Sequence, residues 1–299
     1  MLNKVNRKKE FTMRQKKKTG LVVEGGGMKC AYNAGILDAF LDAGISFDYC
    51  IGVSGGSGNL ASYLAGQKGR NLRFFTEHIH DKEYFGMKSL LKTGNLFGLP
   101  YIYGTLTNSG GRDPLDFPAL MNNPAEYQVV VTNAETGKPE YYGKEMMSQD
   151  DYRLIMASSA IPAACRPVEL KGTFYYDGGI SDAIPADHAL AEGCDRLVVI
   201  LSKNRDYVRK PQGMHFLYSR LCRKYPRIVE TIDRRHITYN ENLKRIFELE
   251  KEGTAFVFAP SETIQVGTYS MDEKAEYALY DLGIRDFQSR REELRQFLK

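Results

Sequence analysis

An apolar run, a glycine-rich turn and a helix-forming stretch occur twice in succession near the start of the chain, and the second turn carries a serine. Gly20-Leu21-Val22-Val23-Glu24 reads as a buried strand ended by Gly25-Gly26-Gly27. Residues 29–43 follow as a helix, with Ile36, Leu37, Phe40 and Leu41 on one face and Gly44 as its C-terminal cap. Residues 47–52 form the second strand and deliver Ser54 onto a sharp turn, Gly52-Val53-Ser54-Gly55-Gly56, with residues 60–64 continuing the helix behind it. A strand–loop–helix–strand–turn–helix order leaves few folds open, because parallel strands need crossover helices. It predicts an α/β chain with a mainly parallel sheet.

The remainder fits that frame. Tyr127-Gln128-Val129-Val130-Val131-Thr132 predicts a strand, residues 135–138 a turn, and residues 139–142 a returning partner. Residues 197–201 and 255–259 are further buried strands, and residues 213–252 are mostly helical in pattern. Residues 68–125 are rich in Gly and Pro and read as helices and loops covering the sheet, in the place of a substrate lid. With 299 residues and 42% apolar content, the chain can bury a substantial core. A single domain over residues 19–299 is the expected organisation, preceded by a basic tail over residues 1–18.

Three segments carry chemistry. A serine becomes a nucleophile when a tight corner projects its hydroxyl, and glycines two residues either side, Gly52 and Gly56, relieve the crowding there. The segment Glu24-Gly25-Gly26-Gly27-Met28-Lys29 lies between a strand and a helix, where exposed N–H groups converge and suit an oxyanion. In Asp177-Gly178-Gly179 an extended lead-in, Phe174-Tyr175-Tyr176, ends in a turn that exposes a carboxylate. Asp-Gly is also an ordinary turn dipeptide. Ser54 needs a base, but none of His78, His80, His188, His215 and His236 sits where a triad histidine arrives; surface or helix-packing roles suit them better. Asp177 is the better candidate, since burial raises a carboxylate's pKa toward neutrality. Ser57 is a rival nucleophile, but it has Asn59 rather than glycine at its +2 position and would lie one turn into the helix.

Together these motifs resemble the patatin-like phospholipase family over most of residues 20–285. Val131-Thr132-Asn133 with Thr136-Gly137, Ala157-Ser158-Ser159-Ala160-Ile161-Pro162 and Asp182-Ala183-Ile184-Pro185 add to the resemblance. The resemblance implies a three-layer α/β/α fold and a Ser–Asp dyad without histidine. Ser54 would be the nucleophile, Asp177 the base, and the loop Gly25, Gly26, Gly27, Met28, Lys29 the oxyanion hole, with Gly178 and Gly179 shaping the aspartate turn. The expected reaction is hydrolysis of a lipid ester, of phospholipase A or lysophospholipase type, with no metal or other cofactor. The family's loop usually ends in Arg-Gly, where this chain has Lys29 and Cys30. Lysine keeps the charge but lacks the guanidinium fork, and Cys30 brings a Cβ to the helix start.

Charge suggests the partners. Residues 1–18 hold eight basic side chains against Glu10, a net +7, so residues 19–299 sum to −3 against +4 for the whole chain. Residues 203–245 hold twelve basic side chains against four acids, interleaved with Phe216, Leu217, Tyr218, Leu221 and Tyr225. Such a basic helical region, assigned to residues 203–252, is either a solvated face or a peripheral contact with anionic membrane. No nucleic acid is expected. Five scattered cysteines without a Cys-x-x-Cys pair indicate a reducing, cytoplasmic setting. Two other readings are a non-catalytic lipid-binding protein on the same fold and a nucleotide-binding protein using Gly25–Gly27 as its phosphate loop. The dinucleotide fingerprint wants glycine or alanine where Cys30 stands.

Overall fold

The computed structural model describes residues 17–267 and 271–299. Most of the basic tail, residues 1–16, lies outside the described residues. Lys18 already belongs to the fold: its N–H donates to Asp195 at 2.7 Å and its ammonium pairs with Glu126 at 2.8 Å.

The strands are β1 (Thr19–Val23), β2 (Tyr49–Val53), β3 (Glu126–Asn133), β4 (Pro139–Gly143), β5 (Val168–Leu170), β6 (Thr173–Asp177), β7 (Arg196–Ile200) and β8 (Ala255–Phe258). The helices are α1 (Ala31–Asp42), α2 (Gly55–Leu64), α3 (Arg70–Thr76), α4 (Met87–Thr93), α5 (Phe117–Asn122) and α6 (Arg153–Ser158). They continue with α7 (Ala186–Ala191), α8 (His215–Leu221), α9 (Pro226–Lys251) and α10 (Glu273–Phe297). In the described residues one sheet runs β5-β6-β3-β2-β1-β7-β8, with β4 also paired to β3. The central pairs β3–β2, β2–β1, β1–β7 and β7–β8 are parallel, whereas β4 and β6 run antiparallel to β3, and β5 antiparallel to β6. The expected mainly parallel α/β sheet is present.

Side-chain alternation splits the core into two layers. Leu21, Val23, Val198 and Ile200 pack on one face with Ile36, Leu37 and Phe40 of α1 and Leu282 and Phe287 of α10. Val22, Leu197 and Val199 face the other way, onto Ala186 and Ala189 of α7 and Leu243 and Ile246 of α9. This is the three-layer α/β/α arrangement. Residues 203–214, expected within the basic helical region, are not helical; helix begins at His215.

The long helix α10 had no counterpart in the sequence reading. Asp272 caps it by accepting from the N–H groups of Lys274 and Ala275. It crosses α1 at close range through two glycines. A Cβ on Gly35 would lie 2.1 Å from the Tyr280 carbonyl oxygen, and one on Gly283 would lie 2.3 Å from that of Tyr32. Hydrogen bonds from Tyr32 to Asp286 (2.9 Å) and from Tyr280 to Asp38 (2.8 Å) flank the crossing. Its first turn buries Glu276 completely, and neither carboxyl oxygen has a hydrogen-bond partner among the described residues.

Strand β3 brings two distant segments together. Its residues Gln128–Thr132 pair with β4 along one edge. The other edge is shared: β2 occupies it up to Val130, opposite Val53, and β6 takes over at Val131, opposite Asp177. The C-terminal ends of β2 and β6 therefore meet head to head on neighbouring rungs.

Candidate active site

Beyond Val53 the chain turns through Ser54 at φ 53° and ψ −131°, and α2 starts at Gly55. A non-glycine residue in the left-handed region is strained, and such strain concentrates where a side chain must be presented. The flanking glycines are required by close approach. A Cβ on Gly52 would sit 2.6 Å from the Ser57 Cα, and one on Gly56 2.6 Å from the Val23 carbonyl oxygen. The Ser54 N–H donates to Ser158 Oγ at 2.8 Å, and the Ser158 hydroxyl donates to the Val130 carbonyl at 2.6 Å. Ser57 is fully buried and donates its hydroxyl to the Ser54 carbonyl at 2.6 Å. It holds the turn and presents nothing to a substrate.

Ser54 Oγ donates to Asp177 Oδ2 at 2.8 Å, across the shared edge of β3. The other carboxyl oxygen of Asp177 accepts from the Gly179 N–H at 2.7 Å. Gly178 is another close-approach position, since its Cβ would fall 2.2 Å from the Val130 carbonyl oxygen. Arg235 of α9 donates from Nε to the Gly179 carbonyl at 2.7 Å and so braces the aspartate turn. Burial raises the pKa of Asp177 above the usual carboxylate value; the charges of Arg235 and Arg209 and the hydrogen bonds from Ser54 and Gly179 oppose that rise.

The glycine loop lies against the serine. A Cβ on Gly25 would be 2.7 Å from the Ser54 Cβ, and Gly27 has φ +59°. Among the described residues no backbone carbonyl accepts from the N–H of Gly25 or Gly26. Met28 is buried, and Lys29 reaches the polar side of the site. Cys30, in place of the family's glycine, is accommodated because Gly55 stands opposite: a Cβ there would lie 3.1 Å from the Cys30 Sγ. Glu24 is buried behind the loop, accepting from Tyr239 (2.9 Å) and the Ser202 N–H (2.7 Å) and pairing with Lys203.

Ser54 lies between two depressions of opposite character. One is apolar, walled by Phe74, Phe75, Tyr84, Leu99 and Ile102 from the covering region, with Met28 and Ile155 from the core side. Arg70, itself buried, also lines it and donates to Ser62, Thr107 and the Asp113 carbonyl. The other is a polar mouth containing Asp177, Gly179, Lys29, Arg209 and Arg235. Gly27 and Ser54 line both.

No histidine reaches the serine. His78 bonds Asp113, His80 bonds Glu273, His188 stacks on Tyr141 and bonds Gln128, and His215 lies by Asp233. His236 lies within α9. The site contributions of Ser158, Arg209 and Arg235 escaped the sequence reading. For Arg235 a signal existed: it is the charged member of the buried stripe Ile228, Ile232, Tyr239, Leu243, Ile246, spaced as one helix face. Arg209 lies in a loop without periodicity, and nothing local marks it.

Comparison with known proteins bears on the whole assembly. A family model described as Patatin-like phospholipase matches residues 21–190, and one described as a domain of unknown function, DUF6363, matches residues 225–299. The uncharacterized protein YjjU of Escherichia coli (strain K12) is 32% identical over 197 residues, which are 64% of this chain and 54% of YjjU. The lysophospholipase nte1 of Aspergillus fumigatus is 23% identical over 189 residues, 60% of this chain and 12% of that protein. The chain thus spans about half of one curated relative and a small part of the other. Human GIVD cytosolic phospholipase A2, solved with methyl gamma-linolenyl fluorophosphonate, superposes with a TM-score of 0.51 at 12% identity, covering 95% of this chain and 58% of that one. At that identity the likeness concerns the fold, and the fold is the one described above. The family match takes in the glycine loop, the serine turn and the aspartate turn in one continuous stretch, and the chain belongs to the patatin-like phospholipase family.

Proposed function

We propose that this protein is a serine acyl hydrolase of lipid esters working through a Ser54–Asp177 dyad. The observation that carries the reading is the 2.8 Å hydrogen bond from Ser54 Oγ to Asp177 Oδ2, made by a strained serine beside an apolar depression. Asp177 accepts the hydroxyl proton as Ser54 Oγ attacks the ester carbonyl. The negative charge that develops on the carbonyl oxygen falls to the N–H groups of the Gly25–Gly27 loop. Each such donor typically contributes about 3–4 kcal/mol to transition-state stabilisation. Collapse expels the alcohol, which takes the proton from Asp177. Water, deprotonated by the same carboxylate, then releases the acid and regenerates Ser54. The acyl chain occupies the apolar side, under residues 68–125.

Ser54→Ala is expected to abolish hydrolysis of short p-nitrophenyl esters and labelling by a fluorophosphonate, while Asp177→Asn should lose most of the rate. Full activity in Ser54→Ala sinks the mechanism; full activity in Asp177→Asn sinks the base assignment alone.

The same reading includes peripheral contact with anionic membrane. No helix among the described residues is long and apolar enough to cross a membrane. At α8, however, Phe216 (79% exposed) and Met214 (72%) stand out beside Arg220, Arg223 and Lys224. Exposed apolar tips amid cations suit a headgroup layer. Co-sedimentation with phosphatidylserine vesicles, reduced by Phe216→Ser, tests this; equal binding to neutral vesicles refutes it.

A further inference from the structure

The glycine loop beside Ser54 is held by residues that the dyad does not use. Strand β7 runs parallel to β1 with Ile200 opposite Val23, and the Glu24 N–H donates to the Ile200 carbonyl at 3.0 Å. Past the ends of both strands this brings the buried Ser202 to the loop, which it holds twice. Its backbone N–H donates to one Glu24 carboxyl oxygen at 2.7 Å, and its hydroxyl donates to the Gly25 carbonyl at 2.7 Å. The Lys203 ammonium stands 3.1 Å from the same hydroxyl and pairs with the other Glu24 oxygen. An ammonium has no lone pair, so Ser202 Oγ accepts from Lys203 and its single proton goes to Gly25. The approach is close: a Cβ on Gly26 would lie 2.5 Å from Ser202 Oγ.

Three glycines in a row have no side chains of their own to fix their peptide planes, and their backbone is unusually free to turn. A hydroxyl from outside the loop supplies the constraint. In a planar trans peptide the carbonyl and the following N–H point in opposite directions. Holding the Gly25 carbonyl therefore aims the Gly26 N–H away from Ser202, and among the described residues no backbone carbonyl accepts from that N–H. Resting on the hydrolase reading, we propose that Ser202 is a positioning residue of the reaction: its hydroxyl, oriented by Lys203, fixes the Gly25–Gly26 peptide so that the Gly26 N–H meets the developing oxyanion. Ser202 touches no reacting atom and acts through the loop. Ser202 and Lys203 lie outside residues 21–190, the stretch that matches the patatin-like family model, so this support for the loop comes from the chain beyond it.

Ser202→Ala removes the hydroxyl and leaves the backbone contact with Glu24. On p-nitrophenyl butyrate it is expected to lower kcat by at least about tenfold, a part of the loss that deleting an oxyanion donor causes, with KM nearly unchanged. Ser202→Cys keeps the size of the side chain with a weaker donor and should fall between the two, and thermal melting checks that each variant is folded. A propyl trifluoromethyl ketone separates aim from mere packing. Ser54 Oγ bonds to its carbonyl carbon, the hydroxyl proton passes to Asp177, and the carbonyl electron pair settles on oxygen as a stable oxyanion. Affinity for this ketone should fall in Ser202→Ala in proportion to kcat/KM, as expected of a transition-state analogue. A lower kcat with unchanged ketone affinity puts the loss elsewhere than the oxyanion and overturns the proposal. An unchanged kcat in Ser202→Ala overturns it too, and either result leaves the hydrolase reading intact. Folded wild-type protein whose Ser54 neither cleaves the ester nor reacts with a fluorophosphonate removes that reading, and the positioning role with it.

Discussion

Glu276 is a buried carboxyl outside the candidate site. It sits in the first turn of α10, fully buried, with both carboxyl oxygens unpartnered among the described residues. Burial, aided by the charge of Asp272, raises its pKa from 4.5 to about 9. The folded protein therefore keeps this group neutral through a range where the unfolded chain ionises it. The sign follows from linkage: the stability it permits is whole below the unfolded value and is lost as pH rises toward the folded one. Each pH unit in that window costs about 1.4 kcal/mol, so moving from about pH 5 to about pH 8 should cost about 4 kcal/mol. Glu276→Gln removes the proton from the balance while keeping the shape. Urea unfolding of both proteins across the range should show wild type losing ground steadily to the variant as pH rises. Parallel stability curves would refute the reasoning, because they would mean that the carboxyl titrates alike in folded and unfolded chains.

Three further outcomes are expected. The acid limb of kcat/KM should lie above the ordinary aspartate range, activity failing as pH drops and Asp177 takes its proton, and Arg235→Gln should move that limb to higher pH; an unmoved limb separates Arg235 from the base. Ser158→Ala strands the Ser54 N–H and the Val130 carbonyl, so denaturant unfolding should show a loss of about 1–3 kcal/mol, with kcat falling more than KM rises. Asp113 is held well below the usual carboxylate range: burial alone would raise it, but hydrogen bonds from Arg73 and His78 and the charge of Arg70 prevail. Its contribution is whole above the ordinary aspartate pKa and lost as pH falls, so Asp113→Asn should speed limited proteolysis within residues 70–113 at neutral pH and change little in acid.

What the sequence revealed follows physical range. The apolar runs of β1, β2, β3, β7 and β8 are legible because strands buried on both faces leave continuous hydrophobic stretches. The serine turn is legible because backbone crowding there admits only glycine at Gly52 and Gly56. Strand β6 was visible as an extended lead-in to Asp177, yet its antiparallel place on the edge of β3 depends on partners some 45 residues away in sequence. Helix α10 is so rich in charge that its apolar positions, Leu279, Leu282, Phe287 and Leu294, do not stand out, although Asp272 and Gly283 mark its cap and its crossing. In the sequence Arg209 and Arg235 are two among the twelve basic side chains of residues 203–245; only the fold separates the two that face Asp177 from those that face solvent.

The shared edge of β3 makes the proposed dyad depend on the docking of one strand. A nascent chain that has reached β3 holds Ser54 but not Asp177, and the strands that complete the parallel sheet, β7 and β8, follow β6 in sequence. The carboxylate arrives with β6, and it lands correctly only if Val131 takes Asp177 as its partner; a slip of one residue would turn that side chain to the opposite face. A half-made or misregistered molecule thus has the serine of the proposed dyad without its carboxylate. If the proposed dyad is correct, esterase activity in refolding should accordingly recover only as β6 takes its place beside β3.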